Sequence, residues 1–223
     1  MRDATGYVRL AERVNGRIPL PVDWRWPWGE ALAVLENTAT DVCLINLETT
    51  ITADGEFADR KPVCYRMHPD NVPALTALRP HVCALANNHI LDFGYQAGAD
   101  LLAARRSALV TVGHERRVIV GSVAAESSGV PESWAARRDR PGVWLIRDPA
   151  QRDVADDVAA QVLADKRPGD IAIVSMHWGS NWGYATAPGD VAFAHRLIDA
   201  GIDMVHGHSS HHPRPIEIYR GKP

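Results

Sequence analysis

The chain has 223 residues with 24 Lys and Arg against 27 Asp and Glu, a formal net charge of -3, and 46% apolar residues. That length and composition fit one domain with a buried core. The near balance of charge, with no Lys/Arg block, excludes the concentrated basic face that nucleic acid requires. No run approaches the roughly 18 consecutive apolar residues of a membrane span.

The predicted elements alternate. The opening Met1-Arg-Asp-Ala-Thr-Gly6 lacks the apolar core of a signal peptide, giving the expectation of a cytoplasmic chain. A helical pattern covers Trp28–Asn37, and Asp41–Asn46 reads as a buried strand. A helix is expected over Asp70–Leu78, a strand over His81–Ala86 and a helix over Tyr95–Ala108. Weaker strands fall at Val118–Val123 and Val143–Ile146, flanking a Ser, Gly, Pro and Arg segment, Glu126–Gly142, that reads as a long surface loop. The third strong strand is Asp170–Met176, after a helix over Arg152–Lys166. The last helix is Asp190–Ala200, with Asp190 as candidate cap and Gly201 as stop. Ile202–Val205 reads as a short buried strand and Ile216–Tyr219 as a weak one. Strands alternating with helices predict an α/β domain with a largely parallel sheet. Cys43, Cys64 and Cys83 have no C-x-x-C spacing; Cys43 and Cys83 lie in apolar runs and read as buried free thiols.

Polar residues gather just after four strands. The first strand ends in Asn46-Leu-Glu48, the second in Asn87-Asn88-His89 followed by Asp92, and the third in His177-Trp-Gly179. The fourth runs into His206-Gly-His208-Ser-Ser-His211-His212, four histidines in seven positions. In a parallel sheet the carboxyl ends share one rim, where α/β folds build their sites. A carboxylate, a carboxamide and several imidazoles would converge there, an oxygen and nitrogen donor set that suits Mn, Fe or Zn.

These segments resemble the CapA family of bacterial poly-γ-glutamate capsule biosynthesis proteins. The resemblance is carried by Asn46-Leu-Glu48, Tyr65-Arg-Met-His-Pro69, Ala86-Asn-Asn-His89 through Asp92 to Gly94, Ser175-Met-His-Trp-Gly179 through Tyr184, and His206 to Pro213. It implies a calcineurin-like metallophosphoesterase fold, central β-sheets flanked by helices, in a single domain over 1–223. It implies Glu48, Asn88, His177, His208 and His211 as metal ligands, and His89 as a catalytic histidine that Asp92 orients. His206 and His212 would support the ligands. Arg66 and His68 would clamp an anionic group, and Trp178, Asn181, Trp182 and Tyr184 would line the pocket.

The chain also departs from that pattern. The family's first strand, ending in a Gly-Asp whose Asp binds metal, has no counterpart before Asn46, and the usual C-terminal strand and part of the middle near Leu109–Glu115 are missing. The expectation is one well-formed divalent site (Glu48, Asn88, His177, His208) and a weak second one at His211. The substrate would be a small phosphoester or an acidic peptide, cleaved by a metal-dependent hydrolase of the phosphoesterase type or bound during capsule assembly. Metal-assisted epimerisation of a peptide, and a non-catalytic remnant, are the alternatives.

Overall fold

The structure is a computed structural model that describes residues 5–95 and 101–223. Its frame is a five-stranded sheet. β5 (Ala108–Val112) forms an antiparallel hairpin with β6 (Arg116–Ala125), and β6, β8 (Ile171–His177) and β9 (Met204–His208) run parallel, with β7 (Leu145–Ile146) pairing the end of β6. A second, two-stranded parallel sheet joins β1 (Leu44–Asn46) to β4 (Val82–Ala84). A third pairs β2 (Thr50–Ile51) with β3 (Arg66–Met67). The helices are α1 (Thr5–Asn15), α2 (Ala31–Asn37), α3 (Val72–Ala77), α4 (Leu101–Arg105), α5 (Arg152–Leu163) and α6 (Pro188–Asp199). The expected mixed α/β architecture with helix-flanked sheets is therefore the observed one. Among the described residues no helix is long and apolar enough to cross a membrane.

Side chains alternate across a strand, so parity decides what each face sees. On β6 and β8, Ile119, Val123, Ala172, Val174 and Met176 face α5 and α6, where they bury Val158, Val162, Phe193 and Leu197. Gly121 shares that parity, and a Cβ there would lie 2.4 Å from Val162 Cγ2, so only glycine lets α5 approach this closely. The opposite parity on β6 and β8 places Val118, Val120 and Ile173 against Val82 of β4. Ser175 and His177 share the parity of Ile173, and His206 and His208 the opposite parity to Val205, which packs with the helix-side core. All four therefore project toward the β1–β4 sheet.

Several expected elements differ from those observed. Ile216–Tyr219 is not a strand; Tyr219 makes only an isolated bridge to Lys222. The segment expected to be helical up to Ala108 is helical at Leu101–Arg105 and turns to strand at Ala108, because Leu109, Val110 and Val112 pair with β6; residues 96–100 of that expected helix lie outside the described residues. The helix expected from Trp28 is broken at Gly29 (φ 50) into a short 3₁₀ turn, Trp26–Trp28, and α2. α1 was not expected, and no residue of it is buried. Asp190 does not cap α6: Ala187 takes that position, Pro188 begins the helix, and Asp190 sits in the first turn. The cysteines are free, and Cys43 and Cys83 are half-buried rather than buried as expected. Glu126–Gly142 runs along the surface as expected, but it contains two short 3₁₀ turns and is anchored by buried side chains. Val130, Trp134 and Ala136 are buried, and Val130 and Trp134 pack on Ala86, Ile90 and Leu91. Ala136 N–H donates to Val143 O at 2.9 Å and Val143 N–H to Trp134 O at 3.0 Å, so the segment folds back on itself and onto the turn after β4.

Candidate functional site

The registers set the rim. His177↔His208 is the last pair of β8 with β9, and Ala124↔His177 the last pair of β6 with β8, so both histidines end their strands side by side. Their Nδ1 atoms are 2.9 Å apart. His177 Nε2 lies 3.2 Å from Asn88 Oδ1, and His208 Nε2 lies 3.0 Å from Ser175 Oγ, which is also 3.1 Å from His206 Nδ1. These contacts form one directional chain when each group gives a single proton: His206 to Ser175, Ser175 to His208, His208 to His177, His177 to Asn88. Neutral imidazoles are needed for it. Burial, then His89, Lys61 and His211, push His177 down to about 3; burial, then His177 and His206, push His208 down to about 2, and burial also lowers His206.

Asn88 reaches this chain from the turn after β4. Asn87 is fully buried there. Its Nδ2 donates to Asn46 Oδ1 at 3.1 Å and Leu47 O at 2.9 Å, and its Oδ1 accepts from His89 N–H at 3.0 Å. Asn87 thus ties the ends of β1 and β4 together and frees Asn88 to face β8. Asn46 Nδ2 also donates to Glu48 Oε2 at 2.8 Å, which aims Glu48 Oε1 at His89 Nε2, 3.9 Å away. On the other side of the ring, His89 Nδ1 lies 2.6 Å from Asp92 Oδ2. Asp92 is fully buried and also accepts from Tyr65 N–H at 2.6 Å and from Lys61. The Tyr65 ring covers His89 at 4.1 Å between centroids. Nδ1 faces the acceptor Asp92 at 2.6 Å and the donor Lys61 at 3.0 Å; the shorter contact, to a carboxylate that only accepts, places the proton on Nδ1 and leaves the Nε2 lone pair on the open side near Glu48.

The remaining expected residues sit further out. His211 N–H donates to Asn181 O at 2.9 Å, and its ring meets Trp182 edge-on at 5.4 Å. His212 lies between Trp182 and Tyr184, at 6.1 and 4.6 Å. Trp182 and Tyr184 are largely exposed, whereas Trp178 is half-buried, donates its backbone N–H to His208 O at 3.1 Å and packs on Phe193. Gly207 is required beside it, because a Cβ there would lie 2.8 Å from Trp178 Nε1. The Arg66 guanidinium lies over the Phe93 ring at 4.7 Å, and His68 Nδ1 accepts from Asp70 N–H at 3.2 Å, capping a short turn.

Two residues were missed. Ser175 had a signal, a lone hydroxyl at the centre of an apolar strand. Lys61 had none: it stands in Arg60-Lys-Pro62, and only the fold carries it to Asn88, His89 and Asp92. Burial lowers the Lys61 ammonium, opposed by its bond to Asp92.

A divalent ion matches the donors in chemistry: a carboxamide oxygen, imidazole nitrogens and a nearby carboxylate. Neighbouring donors on one ion with bonds of about 2.1 Å lie roughly 3.0–3.4 Å apart, against 3.2 Å for Asn88 and His177 and 2.9 Å for His177 and His208. The two contacts use opposite nitrogens of His177, so one ion held by all three needs an imidazole to rotate. Among the described residues, no three of His, Cys, Asp and Glu are gathered to hold a metal.

Comparisons with known proteins bear on this arrangement. The family model described as bacterial capsule synthesis protein PGA_cap matches residues 3–102 and 97–223. The chain is 92% identical over 241 aligned positions to a probable polyglutamine synthesis accessory protein of Mycobacterium tuberculosis (strain ATCC 25618 / H37Rv), with all of this chain and 63% of that protein covered. The aligned length exceeds the chain's 223 residues, so the alignment opens gaps within this chain. Similarity extends to the PGA biosynthesis protein CapA of Bacillus subtilis (strain 168), 27% identical over 202 residues, or 82% of this chain and 50% of that one. The capsule biosynthesis protein CapA of Bacillus anthracis is 26% identical over 150 residues, 62% of this chain and 36% of that one. The chain thus spans 63% of the length of its mycobacterial relative.

Proposed function

Because the chain belongs to the bacterial capsule synthesis protein family, of the calcineurin-like phosphoesterase type, we propose that it serves as an accessory in the synthesis of a glutamate- or glutamine-based polymer, using a divalent-metal site of the hydrolytic, phosphoester-cleaving type. The observation that carries the metal part is that His177 contacts Asn88, from the turn after β4, through one ring nitrogen and His208, from the neighbouring strand end, through the other. Asn88, His177 and His208 would hold one ion together with Glu48, and His211, turned to Trp182, leaves a second site weak. A bound divalent ion supplies Lewis-acid polarisation and lowers the pKa of water toward neutrality.

The chain's own residues supply the rest. Burial keeps His177 and His208 neutral, so each ring retains one lone pair, now accepting from a neighbour (His208 Nε2 from Ser175, His177 Nδ1 from His208), that a bound ion would take over. Asp92 and Tyr65 hold His89 from two sides. Its Nε2, on the open side, takes up a proton and passes it to a leaving oxygen, general-acid work worth about 10²–10⁴-fold. Trp182 and Tyr184, both largely exposed, would offer aromatic faces to substrate.

Calorimetric titration of the full chain with Mn²⁺ and Zn²⁺ tests the reading, followed by hydrolysis of bis-p-nitrophenyl phosphate. One ion per chain is expected, with affinity falling at least tenfold in His208→Ala and in Glu48→Ala. Binding unchanged by either substitution, or two tightly held ions, refutes it.

A further inference from the structure

The reading above uses His89 and Asp92, but the most buried cation beside them is Lys61. Its side chain is 14% exposed, and that of Asp92 is 0% exposed. The ammonium contacts Asp92 Oδ1 and the Asn88 carbonyl oxygen, lies 3.0 Å from His89 Nδ1, and stands 5.1 Å over the Trp134 ring. We infer that Lys61 is the positioning residue of this site: its ammonium locks the Asp92 carboxylate and the Asn88 peptide in place, and so fixes the orientation and tautomer of His89. This inference rests on the proposal that His89 handles the proton.

Asp92 has two oxygens and three donors. Oδ2 takes His89 Nδ1 at 2.6 Å and Tyr65 N–H at 2.6 Å, leaving Oδ1 for Lys61. Among the described residues only Lys61 donates to Oδ1, so without it the carboxylate is free to turn and withdraw Oδ2 from the imidazole. The second contact matters as much. Lys61 also binds the carbonyl of Asn88, the residue whose side chain meets His177. One ammonium therefore joins the residue before His89 in sequence to the residue that orients it.

The backbone sets Lys61 up for this. Arg60 adopts a left-handed φ of 57, and Pro62 restricts Lys61 to extended conformations. The following residues deliver Tyr65 onto the His89 ring. Ala58 N–H donates to Asp92 O at 2.8 Å, so the whole 58–65 segment is clamped around the turn that carries His89. A buried ion pair by itself has a purely structural reading. What distinguishes this one is that its cation reaches the peptide of a candidate ligand and the carboxylate of a candidate acid at once.

The test uses the full chain freed of metal with a chelator, so it does not depend on metal binding or turnover. Long-range ¹⁵N–¹H correlation of imidazole nitrogens, with His89 assigned by His89→Gln, reads the tautomer directly. The wild type should show His89 as the Nδ1–H form and a slowly exchanging Lys61 ammonium. In Lys61→Met the Nε2–H population should rise several-fold, and Lys61→Arg should restore part of the wild-type pattern. A folded Lys61→Met with His89 unchanged overturns the inference. So does a wild-type His89 in the Nε2–H form, a result that holds even where the Met variant does not fold. A wild type that binds no metal but shows the tautomer shift would sink the proposed function and leave this inference standing.

Discussion

Acid should destabilise this protein through its site. His177 and His208 are held down to about 3 and about 2, in both cases chiefly by burial. In the unfolded chain each imidazole titrates near about 6.5. Below that pH the unfolded state takes up protons that the folded state refuses. The stabilisation is therefore complete above the unfolded value and is lost as the pH falls from there toward 3. Well below 6.5 each refused proton costs about 1.4 kcal/mol per pH unit, so two cost about 2.8 kcal/mol per unit there and about 3 kcal/mol between pH 6.5 and 5. That is a large share of the roughly 5–15 kcal/mol that holds a domain together. The assay is urea denaturation at half-unit steps from pH 7.5 to 5 in the presence of a chelator, followed by tryptophan fluorescence. Stopping at pH 5 keeps ordinary carboxylates, with values near about 4, out of the slope. His208→Gln should lower the slope by about one proton's worth, about 1.4 kcal/mol per unit, leaving the contributions of His177 and His206. A wild-type loss below about 1 kcal/mol over that range would refute the claim that both rings stay neutral in the folded state.

Two further predictions concern the frame that holds the site. Gly121→Ala should cost about 1–3 kcal/mol by overpacking against Val162, and Val162→Ala about 2 kcal/mol or more by opening a cavity. Combined, the new methyl occupies the space of the lost one, so chemical denaturation should give a double mutant at least about 1 kcal/mol better than the sum; additivity within about 0.5 kcal/mol would count against the close approach of α5 to β6. Thr50 is 1% exposed and its Oγ1 donates to His89 O at 2.8 Å and Ile90 O at 2.9 Å. Thr50→Val keeps the shape, removes the donor and should cost about 1–3 kcal/mol, which thermal melting reads as roughly 2–4 °C for each kcal/mol; an unchanged melting temperature would show that these carbonyls need no donor.

Much of the candidate site could be read along the chain because its residues follow apolar runs. Asn46, Asn88, His177 and His208 each come just after, or at the end of, a stretch whose burial the composition alone announces. Period-two alternation then put Ser175 and His177 on one face, a relation visible in the sequence once β8 was assigned. Local signals failed where neighbours overrode them. Ala108 belongs to a helical pattern but is drawn into a hairpin by β6, and Glu126–Gly142 reads as solvent-facing although Val130 and Trp134 find partners on the turn carrying Ile90 and Leu91.

Which residue types meet at the rim follows from strand ends and alternation, both local properties of the chain. How those residues pair depends on the packing of the fold. The register of β8 on β9 brings His177 to His208, Asn87 ties β1 to β4, and His211 turns to Trp182 instead of joining them. Lys61 shows the limit most clearly. It lies 31 residues from Asp92 in the chain, and no periodicity marks it. A charge inside a protein acquires its role from the groups that surround it after burial, and those groups are chosen by packing rather than by sequence neighbours.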